Sequence, residues 1–83
     1  STIEDQARRA IANLSAVLTA ADSSLAHVVK TTCFLTDMNN FAAFNEVYEQ
    51  MFPGKPARSC VAVAALPRQV LVEIEAVAMV DWN

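Results

Sequence analysis

The chain has 83 residues, 54% of them apolar, and a formal net charge of −3. That length holds at most one domain, which would bury only about 60% of the surface of its unfolded form, yet the mean hydropathy is +0.29. The apolar excess points to partners, most simply copies of the chain itself. The lack of a Lys/Arg run argues against nucleic acid, and no stretch nears the roughly 20 apolar residues of a membrane span.

Residues 1–20 are no signal peptide, since Glu4, Asp5, Arg8 and Arg9 interrupt any apolar core. Residues 2–21 predict a helix. Ile3, Ala7, Ala10, Ile11, Leu14, Val17, Leu18 and Ala21 recur at the spacing of one helical face. Thr2 caps its start, with Asp5 in the capping-box position. Asn13-Leu14-Ser15 matches a glycosylation sequon but lies inside this helix and reads as chance. Asp22-Ser23-Ser24 ends it.

Residues 26–36 predict a β-branched strand, with Val29, Thr31, Cys33 and Leu35 on one face and Val28, Lys30, Thr32 and Phe34 on the other. His27, the only histidine, sits at the strand entrance as a surface or hydrogen-bonded residue. Asn39 or Asn40 would cap a second helix over 40–52, in which Phe41, Phe44, Tyr48, Met51 and Phe52 form a core stripe. Asn45, Glu46 and Glu49 fall off that stripe, and Pro53-Gly54 stops the helix.

Residues 57–66 and 70–80 predict two strands joined as a hairpin through Pro67-Arg68-Gln69. The order α-β-α-β-β implies an α+β fold with both helices on one sheet face. Gly54 is the only glycine, so either the fold makes few tight turns or part of a larger protein is absent. Cys33 and Cys60 form no C-x-x-C and read as two thiols of a cytoplasmic protein, with a single disulfide as the alternative. With one histidine and no His/Cys cluster, no metal site is expected.

Arg58, Glu73 and Glu75 are charges inside the apolar final segment. Alternation groups Arg58 with Cys60, Ala62 and Ala64, and Glu73 and Glu75 with Leu71, Val77 and Met79. Val70, Val72, Ile74, Ala76, Ala78 and Val80 form the layer under the helices, so both glutamates face away from them. That outer face, assigned Val77, Met79, Cys60 and alanines, suits a subunit interface. Its charges then either pair across subunits or serve a site. In a hairpin pairing Ala65 with Leu71, Glu73 lies opposite Val63, and Arg58 is roughly 16 Å away at about 3.3 Å per residue. A shared site would need a second subunit.

The stretch KPARSCVAVAALPRQVLVEIEAVAM, with Pro-Ala-Arg-Ser, Leu-Pro and Val-Glu-Ile-Glu-Ala, closely resembles the C-terminal signature of the YjgF/YER057c/UK114 proteins, the reactive intermediate (enamine/imine) deaminases once called endoribonuclease L-PSP. VVKTTCFLTDMNNFAAFNEVYEQMFP resembles their preceding strand and helix, and QARRAIANLSAVLTAA their first helix. The resemblance implies one chorismate-mutase-like domain over residues 1–83, assembled as a homotrimeric barrel with sites between subunits. It implies hydrolysis of 2-imino or 2-enamino acids to 2-oxo acids and ammonia without cofactor or metal. By the same resemblance Arg58 holds the substrate carboxylate, Glu73 positions the attacking water, Cys60 lines the pocket through its backbone, Asn45 stands near the cleft, and Glu75 is structural. A non-catalytic trimer binding small carboxylates, or acting as a regulator, is the alternative. An endoribonuclease is disfavoured by the negative charge. Typical members begin with further strands bearing a tyrosine and a Ser-Gly-Gln-like segment. This chain starts at their first helix and reads as truncated at its N-terminus.

Overall fold

The computed structural model describes residues 2–80. Its principal elements are α1 (Ile3–Ala20), β1 (Val28–Leu35), α2 (Phe41–Met51), β2 (Ala57–Ala62) and β3 (Val72–Ala78), with single 3-10 turns at Leu25–His27, Met38–Asn40 and Pro67–Gln69. The α+β class and the element order agree with the sequence reading. The strand neighbours do not: the sheet order is β2-β1-β3, with β2 parallel and β3 antiparallel to β1.

The expected hairpin between residues 57–66 and 70–80 is therefore absent, and so is its pairing of Glu73 with Val63. Two physical reasons account for this. First, α2 carries the chain from the end of β1 back to its start, so β2 enters parallel to β1, as in other β-α-β crossovers. Second, the segment after β2 passes around the end of β1. Val63 N–H donates to the Leu35 carbonyl (2.8 Å), and Thr36 N–H donates to the Leu71 carbonyl (3.2 Å). β1 is thereby central, which fits its fully buried Thr31, Cys33 and Leu35.

α1 starts as expected. Thr2 Oγ1 accepts from Asp5 N–H at 3.1 Å, and Glu4 and Asp5 lie in the positive first turn. Ile3, Ala7, Ile11 and Leu18 are buried, whereas Val17 is exposed at the margin of the stripe. Asn40 takes the N-cap position of α2, as expected, but its side chain makes no capping hydrogen bond. Asp37 instead accepts from Asn39 N–H at 2.9 Å, capping the short turn that leads into α2.

The helices bury one shared face of the sheet. Phe44, Val47, Tyr48 and Phe52 pack with Ile11, Cys33, Leu35 and Val72, while Ile74, Ala76 and Ala78 flank them. Glu73 and Glu75 are exposed on the opposite face, paired with Phe34 and Thr32 of β1. Cys60 departs from its expected place. It pairs with Cys33 and packs against the core, so it belongs to the helix side rather than the outer face, and Arg58, which shares its side of β2, departs from the expected face with it. Val28 and Val29 exchange their expected sides, because a register shift between Val28 and Lys30 makes Val29 an extra residue and turns Val28 inward.

The scarcity of glycine also has an explanation. Positive φ falls on Asp22, Lys55, Arg68 and Gln69 instead. Gly54 serves a close approach, since a Cβ there would stand 3.2 Å from the Ala26 carbonyl oxygen.

Candidate functional site

β2 and α2 together set the surroundings of Arg58. Arg58 pairs with Thr31 in the register of β2 on β1, which turns its side chain toward α2. Phe41, Asn45 and Tyr48 follow at i, i+4 and i+7, so one face of α2 presents all three. The guanidinium carbon lies 4.5 Å from the Tyr48 ring centroid and 5.5 Å from that of Phe41. Both distances are within cation–π range. Nη1 donates a hydrogen bond to Asn45 Oδ1, and Asn45 Nδ2 donates to Glu49 Oε1 at 3.3 Å.

Behind Arg58, Thr31 and Tyr48 hold each other in place. Thr31 is fully buried, and its hydroxyl lies 2.6 Å from the Tyr48 hydroxyl. The Cys33 thiol donates weakly to Thr31 Oγ1 at 4.0 Å. Burial raises the Tyr48 hydroxyl above its ordinary pKa, against the opposing effect of the Thr31 bond. Burial pushes the Cys33 thiol up to about 11. Cys60 is also raised by burial, with the Arg58 charge pulling the other way. Both thiols are therefore protonated at neutral pH, and neither is an activated nucleophile.

Among the described residues no carboxylate lies within ion-pair distance of Arg58. Its one side-chain hydrogen bond goes to a neutral amide, and the guanidinium borders a cavity of about 390 Å³ lined by Tyr48, Glu49, Phe52, Lys55, Pro56 and Arg58. A half-buried planar cation with donors left over, beside an open cavity, is suited to an incoming carboxylate.

The structure brings Arg58 and Asn45 into contact and sets Cys60 two residues further along the same face of β2. Glu73 is not part of this group. It lies beyond β1, at the edge strand β3, on the opposite sheet face. Thr31 and Phe34, the β1 partners of Arg58 and Glu73, are three residues apart. With two strand spacings added, the separation of Arg58 and Glu73 is about 14 Å. The expected separation thus holds within one chain, although its cause is the interposed strand rather than a hairpin register. Glu73 borders a second cavity, of about 510 Å³, along the free edge of β3, with Gln6, Arg9, Asn13 and Arg68 among its other lining residues.

Tyr48 and Thr31 escape a reading of the sequence alone. Tyr48 falls in a core stripe of aromatics, and nothing in that stripe marks its ring as the platform for Arg58. The available signal is the spacing of Phe41, Asn45 and Tyr48 once Arg58 is known to face α2. No group of three or more His, Cys, Asp or Glu among the described residues is placed to hold a metal ion. Among them, too, no helix is long and apolar enough to cross a membrane.

Comparison with known proteins supplies the family. The chain is 54% identical over 76 residues to the RutC family protein UK114 of Drosophila melanogaster, covering 90% of this chain and 55% of that protein. It is 47% identical over 81 residues to TdcF of Escherichia coli K12, a protein named as a reactive intermediate deaminase, covering 93% of this chain and 63% of that one. Among solved structures, yeast YEO7 superposes with a TM-score of 0.95 at 52% identity, covering 98% of this chain and 66% of that chain. Escherichia coli TdcF with bound serine superposes with a TM-score of 0.92 at 45% identity, covering 98% and 67%. The chain thus spans between about half and two thirds of the length of these relatives. The family model described as endoribonuclease L-PSP matches residues 1–80. The chain belongs to the endoribonuclease L-PSP family.

Proposed function

We propose that the chain contributes to a deaminase that hydrolyses reactive 2-imino or 2-enamino acids to 2-oxo acids and ammonia, at clefts between the subunits of a homotrimer. The observation that carries this reading is the Arg58 guanidinium, half-buried, without a carboxylate partner among the described residues and open to a cavity. The name of the TdcF relative and the serine bound in its structure support a small amino-acid-like ligand.

In this mechanism Arg58 pairs with the substrate carboxylate through two parallel N–H donors, oriented by Asn45 and by the Tyr48 ring. Water adds to the C=N carbon, the nitrogen takes up protons, the C–N bond breaks, and ammonia leaves the 2-oxo acid. Glu73 holds the attacking water and receives its proton. Because Arg58 and Glu73 are on opposite faces of one sheet, the Glu73 that meets a given Arg58 belongs to a neighbouring subunit. Cys60 lines the inter-subunit pocket through its backbone; it is not among the residues that line the cavity beside Arg58 within one chain. The outer sheet face supports the assembly: Val77 and Met79 are 59% and 63% exposed, and Val61 is exposed as well. Two free thiols suit a reducing, cytoplasmic setting.

The same fork would also serve a non-catalytic trimer that binds small carboxylates, a reading favoured by the distance of Glu73 from Arg58 within the chain. Ribonuclease action is less well supported, given the net charge of −3. The test generates 2-iminobutyrate in situ and follows 2-oxobutyrate for the wild type, Arg58→Ala and Glu73→Gln. Acceleration lost in both variants is expected. A folded trimer that binds 2-oxobutyrate but gives no acceleration would establish the binding role instead.

A further inference from the structure

We propose that Cys33 and Cys60 are a reversible oxidation site, closing to an intrachain disulfide when the protein meets a low-molecular-weight disulfide. The two are direct partners in the parallel register of β1 and β2. Both occupy the helix-facing side of the sheet, Cys33 fully buried and Cys60 packed against the core from the edge strand. Neighbouring strands run about 4.8 Å apart, and side chains at paired positions point the same way. That spacing falls within the roughly 4.4–6.8 Å Cα separation of known disulfides. Both residues are thiols here. Among the described residues β2 is held by the sheet on one side only, so it can move the short distance that bond formation requires.

Exposure sets the order of events. Cys60 is partly accessible, and Cys33 is closed off. The Cys60 thiol loses its proton, and its sulfur attacks the small disulfide, giving a mixed disulfide and releasing one small thiolate. Cys33 then loses its proton and attacks the Cys60 sulfur, displacing the second small thiolate. The cysteines give up two electrons and two protons, and the small disulfide is reduced to two thiols. Because burial keeps both cysteines protonated, the reaction is slow near neutrality and speeds up by roughly tenfold per pH unit below the thiol pKa.

The pair is close to the carboxylate receptor. Arg58 is two residues from Cys60 on the same face, and Cys33 touches Thr31, which fixes the Tyr48 ring beneath the guanidinium. Drawing Cys60 toward β1 moves the edge strand that carries Arg58, so oxidation should change carboxylate affinity. This last consequence rests on the proposed role of Arg58, whereas the disulfide itself does not.

The full chain is incubated with oxidised glutathione at alkaline pH, alkylated and digested with trypsin. The expected product joins peptide 31–58 to peptide 59–68 within a monomeric chain on a non-reducing denaturing gel, and dithiothreitol reverses it. Cys33→Val should stop at a glutathione adduct on Cys60, and Cys60→Ser should leave Cys33 unmodified in the folded protein. Two fully alkylated cysteines, a wild-type adduct that stops at Cys60, or links only between chains would overturn the proposal. Titration of 2-oxobutyrate into the reduced and oxidised forms should differ by about fivefold or more. Equal affinity overturns the regulatory part, and absence of binding in both forms overturns the Arg58 reading while leaving the disulfide standing.

Discussion

Replacing Tyr48 by Phe removes a single oxygen from the centre of the molecule and leaves the aromatic ring in place. In the wild type that oxygen lies 2.6 Å from the hydroxyl of Thr31, which is itself fully buried. After the change, the Cys33 thiol can still donate to Thr31 Oγ1 at 4.0 Å, but the buried Thr31 hydroxyl loses its Tyr48 partner. An unsatisfied buried hydroxyl costs about 1–3 kcal/mol. In a domain of this size each kcal/mol lowers Tm by about 4–8 °C, so Tyr48→Phe should unfold roughly 4–24 °C below the wild type. Thr31→Val should cost a similar amount by stranding the Tyr48 hydroxyl. The double variant strands neither group and should lie well above the sum of the two losses, with a coupling of about 1 kcal/mol or more. The assay is thermal unfolding of all four proteins at one concentration. A Tyr48→Phe variant within a few tenths of a kcal/mol of the wild type, or a strictly additive cycle, would refute the reasoning. Because the ring remains under the guanidinium, carboxylate binding should change far less in Tyr48→Phe than in Tyr48→Leu.

Asn45→Asp places a carboxylate against the Arg58 guanidinium, and the resulting ion pair should weaken 2-oxobutyrate binding about tenfold, or about 1.4 kcal/mol, in calorimetric titration. Ile11→Ala empties a fully buried position between α1 and the sheet and should cost about 2–5 kcal/mol in denaturant unfolding. Alkaline stability should fall. Cys33 stays protonated in the fold up to about 11 while its unfolded form ionises near 9.0, so the unfolded state binds fewer protons between those values and stability declines as pH rises through that window. The decline attributable to Cys33 is at most about 2–3 kcal/mol, and Tm measured against pH should fall less steeply in Cys33→Val. Val77→Lys, on the outer sheet face, should shift the proposed trimer toward smaller species in sedimentation at fixed concentration, without lowering helix content.

Local periodicity carried much of the fold. The 3-4 spacing from Ile3 to Leu18 and the alternation from Val72 to Ala78 each give the observed buried face, because a helix or strand presents its sides by its own geometry. Strand partnership is a different kind of information. Residues 57–80 look like a hairpin from their own pattern, and only the passage of the chain around the end of β1 at Val63 and Leu71 shows that β1 lies between the two strands. The misplaced Cys60 follows from that error: alternation states which residues share a side, but the partner strand decides which side is inner. The shift between Val28 and Lys30 has no sequence mark either, since Val28 and Val29 are chemically alike. At the site, Arg58 stood out as a charge in an apolar segment. Tyr48 and Thr31 did not, because their polar atoms satisfy each other inside what reads as ordinary core.

The central claim is that Arg58 is the carboxylate receptor, and it is tested most directly by calorimetric titration of 2-oxobutyrate into the wild type, Arg58→Lys and Asn45→Ala. Lysine keeps the charge and loses the planar fork, so Arg58→Lys should bind at least about tenfold more weakly, with folding intact by circular dichroism. Asn45→Ala should fall between that variant and the wild type. Unchanged affinity in a folded Arg58→Lys protein would contradict the account.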